Sequence, residues 1–281
     1  MIRPPSRLMR VVQIIVLVIM SLVAIYPVYF AILASGRGGQ SLYTFNVAGM
    51  FFPVEWTWSN FQTLFFQTDF PLWVVNSLKV AVATVILSMI VCTSAAFAFS
   101  RFRFAGRSGA LTTMLALQAY PGLLSLASVV MILTAFGLYG KHVGLILAYT
   151  TGTLVFCTWN LKGYFDTIPL DLEEAGMIDG AGPVQSFFLI AMPLARPALA
   201  ITALLAFLAG WSDYVFASSL VPAPDAMKLA VPGLYGLATA FNVPWGQFAA
   251  GFAIVVIPTM ILFLFLQRFL ESGLTMGGVK G

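Results

Sequence analysis

Half of the acidic side chains of this sequence fall in one place: Asp166, Asp171, Glu173, Glu174 and Asp179, five of the ten, lie within Gly163–Pro183. Acids do hydrolytic or metal chemistry when they converge with one another or with histidine and cysteine. The single histidine, His142, has no cysteine or carboxylate at ligand spacing, so the sequence offers no metal site. Cys92 and Cys157 stand far apart inside apolar runs and read as small hydrophobes, not as a disulfide or a metal pair. No Walker-type glycine-rich Lys-Ser/Thr loop is present. Asp213, in Gly210-Trp-Ser-Asp-Tyr214, is the one acid inside an apolar run. A proton-coupled transporter needs a carboxylate buried in its bundle, and one acid without a basic partner is thin support. These residue types speak against an enzyme and leave the acidic run as the sharpest polar signal.

The local physics of that run predicts a helix-turn-helix. Asp171 followed three residues later by Glu174 resembles a capping box, and acids in a first turn suit the helix dipole. Gly180 or Gly182 ends the short helix, Pro183 begins another, and Pro193 and Pro197 break the chain afterwards. An acidic helix is poorly placed against anionic lipid headgroups. A capped connector explains the capping but not the concentration of charge. A protein partner with a basic groove explains both.

The elements that must position this run are apolar. Of 281 residues, 60% are hydrophobic and 9% charged, where a soluble domain carries about 25% charged residues. Most of the chain therefore meets lipid, where only helices satisfy their own backbone. Crossing takes about 20 apolar residues, and such runs fall near 11–34, 72–99, 109–136, 143–162, 198–221 and 246–268. The first follows Arg3, Arg7 and Arg10 and reads as an uncleaved anchor, because it is longer than a signal h-region. With a cytoplasmic N-terminus, ten Lys/Arg fall inside and four outside, which fixes the orientation and returns the C-terminus to the cytoplasm. The net charge of +4 forms no basic face for nucleic acid. Two larger segments then lie outside, 35–71 and 221–245. Pro27, Pro121 and Pro258 lie within spans. Pro121-Gly122 marks either a break that lines a pathway or ordinary packing through small residues.

Several stretches resemble a known family. Leu172-Glu-Glu-Ala-Gly-Met-Ile-Asp-Gly-Ala181, Phe187 and Met192-Pro-Leu-Ala-Arg-Pro197 resemble the EAA loop of ABC-importer permeases. Asn76-Ser-Leu-Lys-Val-Ala81, Ala96-Phe-Ala-Phe-Ser-Arg-Phe-Arg-Phe104, Tyr120-Pro-Gly-Leu-Leu-Ser-Leu126, Trp159-Asn-Leu-Lys-Gly-Tyr-Phe165 and Trp245-Gly-Gln-Phe-Ala-Ala250 are similar to MalG-type permeases of maltose-class importers. So is the C-terminus, Gly273-Leu-Thr-Met-Gly-Gly-Val-Lys-Gly281. One departure stands out: the second alanine of Glu-Ala-Ala is Gly176, which loosens a helix by about 1 kcal/mol.

The resemblance implies an all-α polytopic membrane protein with six transmembrane helices, the type I ABC importer permease (MetI-like) fold. It implies a cytoplasmic N-terminus at 1–10, a first span and outer loop at 11–71, and a five-span core at 72–271 with its coupling loop at 163–196. A cytoplasmic tail at 272–281 follows. The function implied is that of a permease subunit in the cytoplasmic (inner) membrane of a bacterium or archaeon. It would form half the pathway for maltose or maltodextrin, with trehalose or another oligosaccharide as the alternative cargo. The partners implied are a second, MalF-like permease subunit, a homodimeric ATPase that binds the ATP and Mg, and an extracytoplasmic sugar-binding protein. No cofactor is implied for this chain. Glu174 would meet a basic residue of the ATPase, Ala175, Gly176 and Ile178 would fill its cleft, and Asp179, Gly180 and Ala181 would set the turn. Gly277, Gly278, Val279, Lys280 and Gly281 would run as an extended tail into the ATPase interface. Tyr235 and Asn242 would face the binding protein. Tyr120 and Trp211 are candidates to flank the pathway, although aromatic packing between spans is the plainer account of either.

Overall fold

A computed structural model describes residues 6–38, 47–52, 56–222, 225–238 and 243–277, with the backbone alone at 47, 48, 226 and 270–277. Asn242, Gly278, Val279, Lys280 and Gly281 lie outside the described residues.

The described chain is all-α. Its helices are α1 (Arg7–Ser35), α2 (Val47–Phe51), α3 (Ser59–Phe66), α4 (Phe70–Arg101), α5 (Arg107–Gln118), α6 (Leu126–Ala135) and α7 (His142–Thr167). There follow α8 (Asp171–Ile178), α9 (Pro183–Ser186), α10 (Met192–Leu194), α11 (Arg196–Trp211), α12 (Val215–Leu220), α13 (Ala230–Gly236) and α14 (Trp245–Gly277). Among the described residues, α1, α4, α7 and α14 are each long and apolar enough to cross a membrane. Two bent helix pairs bring the count to six if each is one span. The first pair confirms a break at Pro121-Gly122: α5 and the segment 122–135 meet at 97°. The second is the segment 183–194 with α11, bent by 82°. The fifth apolar run also stops short, because α11 ends at Trp211 and α12 resumes only at Val215. Helix α14 runs on through Gly277, so the tail expected from 272 begins as helix.

The chain divides into two compact units, Met1–Pro71 with Leu234–Ile257, and Leu72–Gly233 with Pro258–Gly281. In the first unit, Ser6 caps α1 by accepting from the Met9 N–H at 3.3 Å. Most apolar side chains of α1 are exposed, as a lipid-facing helix requires. The segment after α1 is pinned by Asn60, whose Nδ2 donates to the carbonyls of Ser35 (2.9 Å) and Arg37 (2.8 Å).

In the second unit α4, α7 and α11 pack through small and hydroxylated residues. Helices in lipid gain little from burying apolar area, so close approach and interhelical hydrogen bonds decide their contacts. Ser88 and Thr153 bond between α4 and α7 at 3.0 Å. Gly210 of α11 lies so near α4 that an added Cβ would stand 2.8 Å from the Ala81 Cα. One cluster gathers Cys92, Phe97, Cys157, Leu161, Phe165 and Ala198, with both cysteines buried and free.

Candidate functional site

The acidic run forms α8, a glycine turn and a second helical segment. The capping box expected from Asp171 and Glu174 is absent: Leu170 stands at the N-cap in helical conformation, with no side-chain cap. The turn starts earlier than the acids suggest, because Pro169 and Leu170 already supply the carbonyls. Leu172 N–H donates to Pro169 (3.4 Å), and Glu173 and Glu174 N–H to Leu170 (2.9 and 3.0 Å). With those donors satisfied, the carboxylates are released for other work.

The end of α8 follows the glycine signal. Gly180 takes φ 94°, open to glycine at no steric cost. Its N–H donates to Met177 (3.1 Å) while the Ala181 N–H donates to Gly176 (2.9 Å), the paired bonds of a Schellman motif. Pro183 opens α9, and the reach-back expected of Glu174 is made by Gln185, whose Oε1 accepts from the Gly182 N–H at 3.0 Å. A π-turn, Phe187–Ala191, then leads into α10 and the bend before α11.

This turn brings Ile190 back over α8 and explains Gly176. A Cβ at 176 would collide with the Ile190 Cδ1, so the missing methyl is the space the second segment packs into. Packing occupies the room that helix propensity alone would fill with alanine.

The acids divide by direction. Glu173 is buried, and its Oε1 accepts from Arg101 Nε at 2.7 Å. Both side chains of this pair are under a tenth exposed. Arg101 donates further to the Ile168 carbonyl (3.2 Å) and to Ser100 Oγ (3.1 Å). Ser100 in turn donates to Asp166 (2.6 Å), which also pairs with Lys162 (2.5 Å). Asp171, Glu174 and Asp179 instead lie exposed, with no ion pair among the described residues. Beside them Ile178 is 87% exposed, and Met177, Val184, Phe188 and Leu189 also present apolar surface. Beneath the helix lies a cavity of about 190 Å³ bordered by Phe97, Arg101, Leu170, Glu173, Met177 and Ser186. The segment thus shows three free carboxylates and an apolar ridge on a base fixed by a buried ion pair. Such a surface suits a basic-rimmed apolar cleft on another protein.

Of the predicted docking residues, Glu174, Ala175, Ile178, Asp179 and Gly180 share exposed positions, while Gly176 and Ala181 are half-buried. Tyr120 lies exposed in the break between α5 and the segment that follows. Trp211 is buried, stacked on Phe207 with ring centroids 5.5 Å apart. Tyr235, half-exposed, meets Phe248 and Phe252 edge-on at 5.8 and 6.3 Å. Asp213 sits between α11 and α12, accepting from Tyr149 Oη (2.9 Å) and the Ala217 N–H (3.0 Å). Among the described residues no cluster of His, Cys, Asp or Glu is placed to hold a metal ion.

Arg101 and Glu173 are the functional candidates that the sequence did not single out.

Residues 6–276 match the family described as binding-protein-dependent transport system inner membrane component. The chain is 35% identical to the maltodextrin transport system permease protein MdxG of Bacillus subtilis, over 94% of each chain. It is 35% identical to the galactooligosaccharides transport system permease protein GanQ of the same organism, over 94% of this chain and 93% of that one. Identity to the maltose/maltodextrin permease protein MalG of Escherichia coli K12 is 35%, over 100% of this chain and 99% of MalG. Among solved structures, a chain of a bacterial ABC transporter involved in the import of the acidic polysaccharide alginate shares the fold. The TM-score is 0.77 at 23% identity, covering 95% of this chain and 99% of that one.

Proposed function

The chain belongs to the family of binding-protein-dependent transport system inner membrane components, and from that premise we propose that it forms one half of the pathway of an ATP-driven importer of maltose and maltodextrins. It is a permease subunit, a transport component rather than an enzyme. A companion permease completes the pathway, a dimeric ATPase binds the ATP and Mg, and an extracytoplasmic binding protein delivers the sugar. Relatives named for maltodextrin and galactooligosaccharides support an oligosaccharide cargo. Trehalose or another oligosaccharide is the second reading of the cargo.

The observation that carries the coupling role is the outward face of α8, where Glu174 and Ile178 stand one turn apart and exposed. In this reading Glu174 meets a basic residue of the ATPase, and Ala175, Gly176 and Ile178 enter its cleft. Asp179, Gly180 and Ala181 set the turn. The bias of Lys and Arg supports a cytoplasmic position for α8 and for both termini. The C-terminal residues Gly277–Gly281 reach the ATPase interface, and the segment around Tyr235 and Asn242 faces the binding protein. Tyr120 stands beside the pathway at the break in the third span.

Proteoliposomes holding the four-component complex test this. Ile178→Cys should cross-link to the ATPase, and ATP should drive uptake of maltodextrin in preference to trehalose or galactooligosaccharide. Glu174→Lys should abolish that uptake with insertion intact. Uptake at wild-type rate by Glu174→Lys, or uptake driven by a proton gradient without the ATPase, overturns the coupling role.

A further inference from the structure

Helix α4 is held at both ends by buried polar side chains, and the two attachments lead to different functional segments. At its first end, Trp73 Nε1 donates to the Asp225 carbonyl at 2.9 Å and Asn76 Nδ2 to the Lys228 carbonyl at 3.1 Å. Ser77 Oγ accepts from the Ala230 N–H at 2.8 Å. All three side chains are buried, and the Trp73 ring occupies the space a Cβ on Gly233 would need. Each bond joins an α4 side chain to backbone, so together they fix the path of 225–230 rather than one side chain. At its last residue, Arg101 makes the buried ion pair with Glu173 of α8 and donates to the Ile168 carbonyl.

What lies between is stiff. Beyond Pro71 in its first turn, α4 has no proline and no glycine. The other spans each have one or are bent: Pro27 in α1, the 97° break before α6, Gly152 in α7, Gly210 in α11 and Pro258 in α14. The 28 residue steps from Trp73 to Arg101 cover about 42 Å at 1.5 Å each. A helix without a hinge, fixed to backbone at one end and ion-paired at the other, cannot move one attachment and leave the other in place.

We propose that α4 transmits the state of the segment 225–233 to α8, with Trp73, Asn76 and Ser77 as the outer joint and Arg101–Glu173 as the inner joint. The inference rests on the reading that 221–245 faces the binding protein and α8 faces the ATPase. It assigns the two joints as positioning residues that link arrival of loaded binding protein to ATP hydrolysis. Coupling through such an element requires that the two joints act in series, and that requirement is measurable.

The test uses the intact complex in lipid and reads ATP hydrolysis with and without sugar-loaded binding protein. Glu173→Gln and Ser77→Ala are near-isosteric. Each should lower the stimulated-to-basal ratio by about fivefold or more, and Ser77→Ala, remote from α8, should leave basal hydrolysis unchanged. The double variant should fall no lower than the stronger single one, because joints in series are not independent, whereas separate structural damage would multiply. If Glu173→Gln does not assemble, Arg101→Lys replaces it, keeping the charge and losing the bond to the Ile168 carbonyl. A wild-type ratio in either single variant, or multiplying effects in the double, overturns the inference. Absence of stimulation in the wild-type complex would instead refute the importer reading beneath it.

Discussion

Glu173 and Glu174 are neighbours in sequence and about 100° apart around α8; Glu173 is turned into the protein and Glu174 out to solvent. The inward one is buried and costs free energy unless a cation meets it. Arg101 does, and truncating either member would strand a charge at a cost of about 3–5 kcal/mol. Gly176 follows the same logic of direction. Read from sequence alone it is a loss of about 1 kcal/mol of helix propensity. Read with Ile190 in place, it is the space required for the second segment to close over the first. The obstructing atom is the end of a flexible side chain, so alanine is admitted if Ile190 gives way. Gly176→Ala should therefore change stability little in the wild-type background and raise the melting temperature when combined with Ile190→Ala, relative to Ile190→Ala alone. Thermal unfolding of the purified complex checks this. Equal shifts in both backgrounds would separate Gly176 from Ile190 and leave its presence without a packing cause.

Between elements, what governs the contact is how near two backbones come. Gly210 of α11 faces α4 with the Ala81 Cα and N and Thr84 Oγ1 in the way of any Cβ. Backbone cannot rotate aside, so Gly210→Ala should force the helices apart at a cost of about 1–3 kcal/mol. Gly152 of α7 has nothing within 4 Å of its absent Cβ, and Gly152→Ala should gain up to about 1 kcal/mol of helix propensity. Melting temperatures of the two variants should move in opposite directions, and a shared direction would refute the close contact of α4 with α11. Sequence made the elements themselves legible wherever a local signal existed. Apolar length gave the spans, Pro121-Gly122 gave a break, and Gly180 with Pro183 gave the turn after α8. It misplaced the start of that helix, because Asp171 and Glu174 match a capping pattern while the donors are taken by Pro169 and Leu170 carbonyls. It could not give Arg101–Glu173 or Ile190–Gly176 either, since tertiary partners leave no mark in local spacing.

At the scale of the molecule, the direction in which the chain threads the membrane decides whether α8 can meet an ATPase at all. The basic residues favour the arrangement with α8 inside by ten to four. Arg101 is a buried structural charge rather than a loop charge, and setting it aside leaves the majority in place. Arg103, just past α4, and Lys141, just before α7, are both exposed and fall on opposite sides in this arrangement. Cysteine at either position, in a background with Cys92 and Cys157 replaced, reports the side directly through a membrane-impermeant maleimide. Lys141→Cys should label in intact cells, and Arg103→Cys only after the membrane is opened. The reverse pattern would carry α8 to the face without ATP. The free carboxylates of Asp171, Glu174 and Asp179 would then need a partner outside the cell, and the basic cleft proposed for them would be on the wrong side of the membrane.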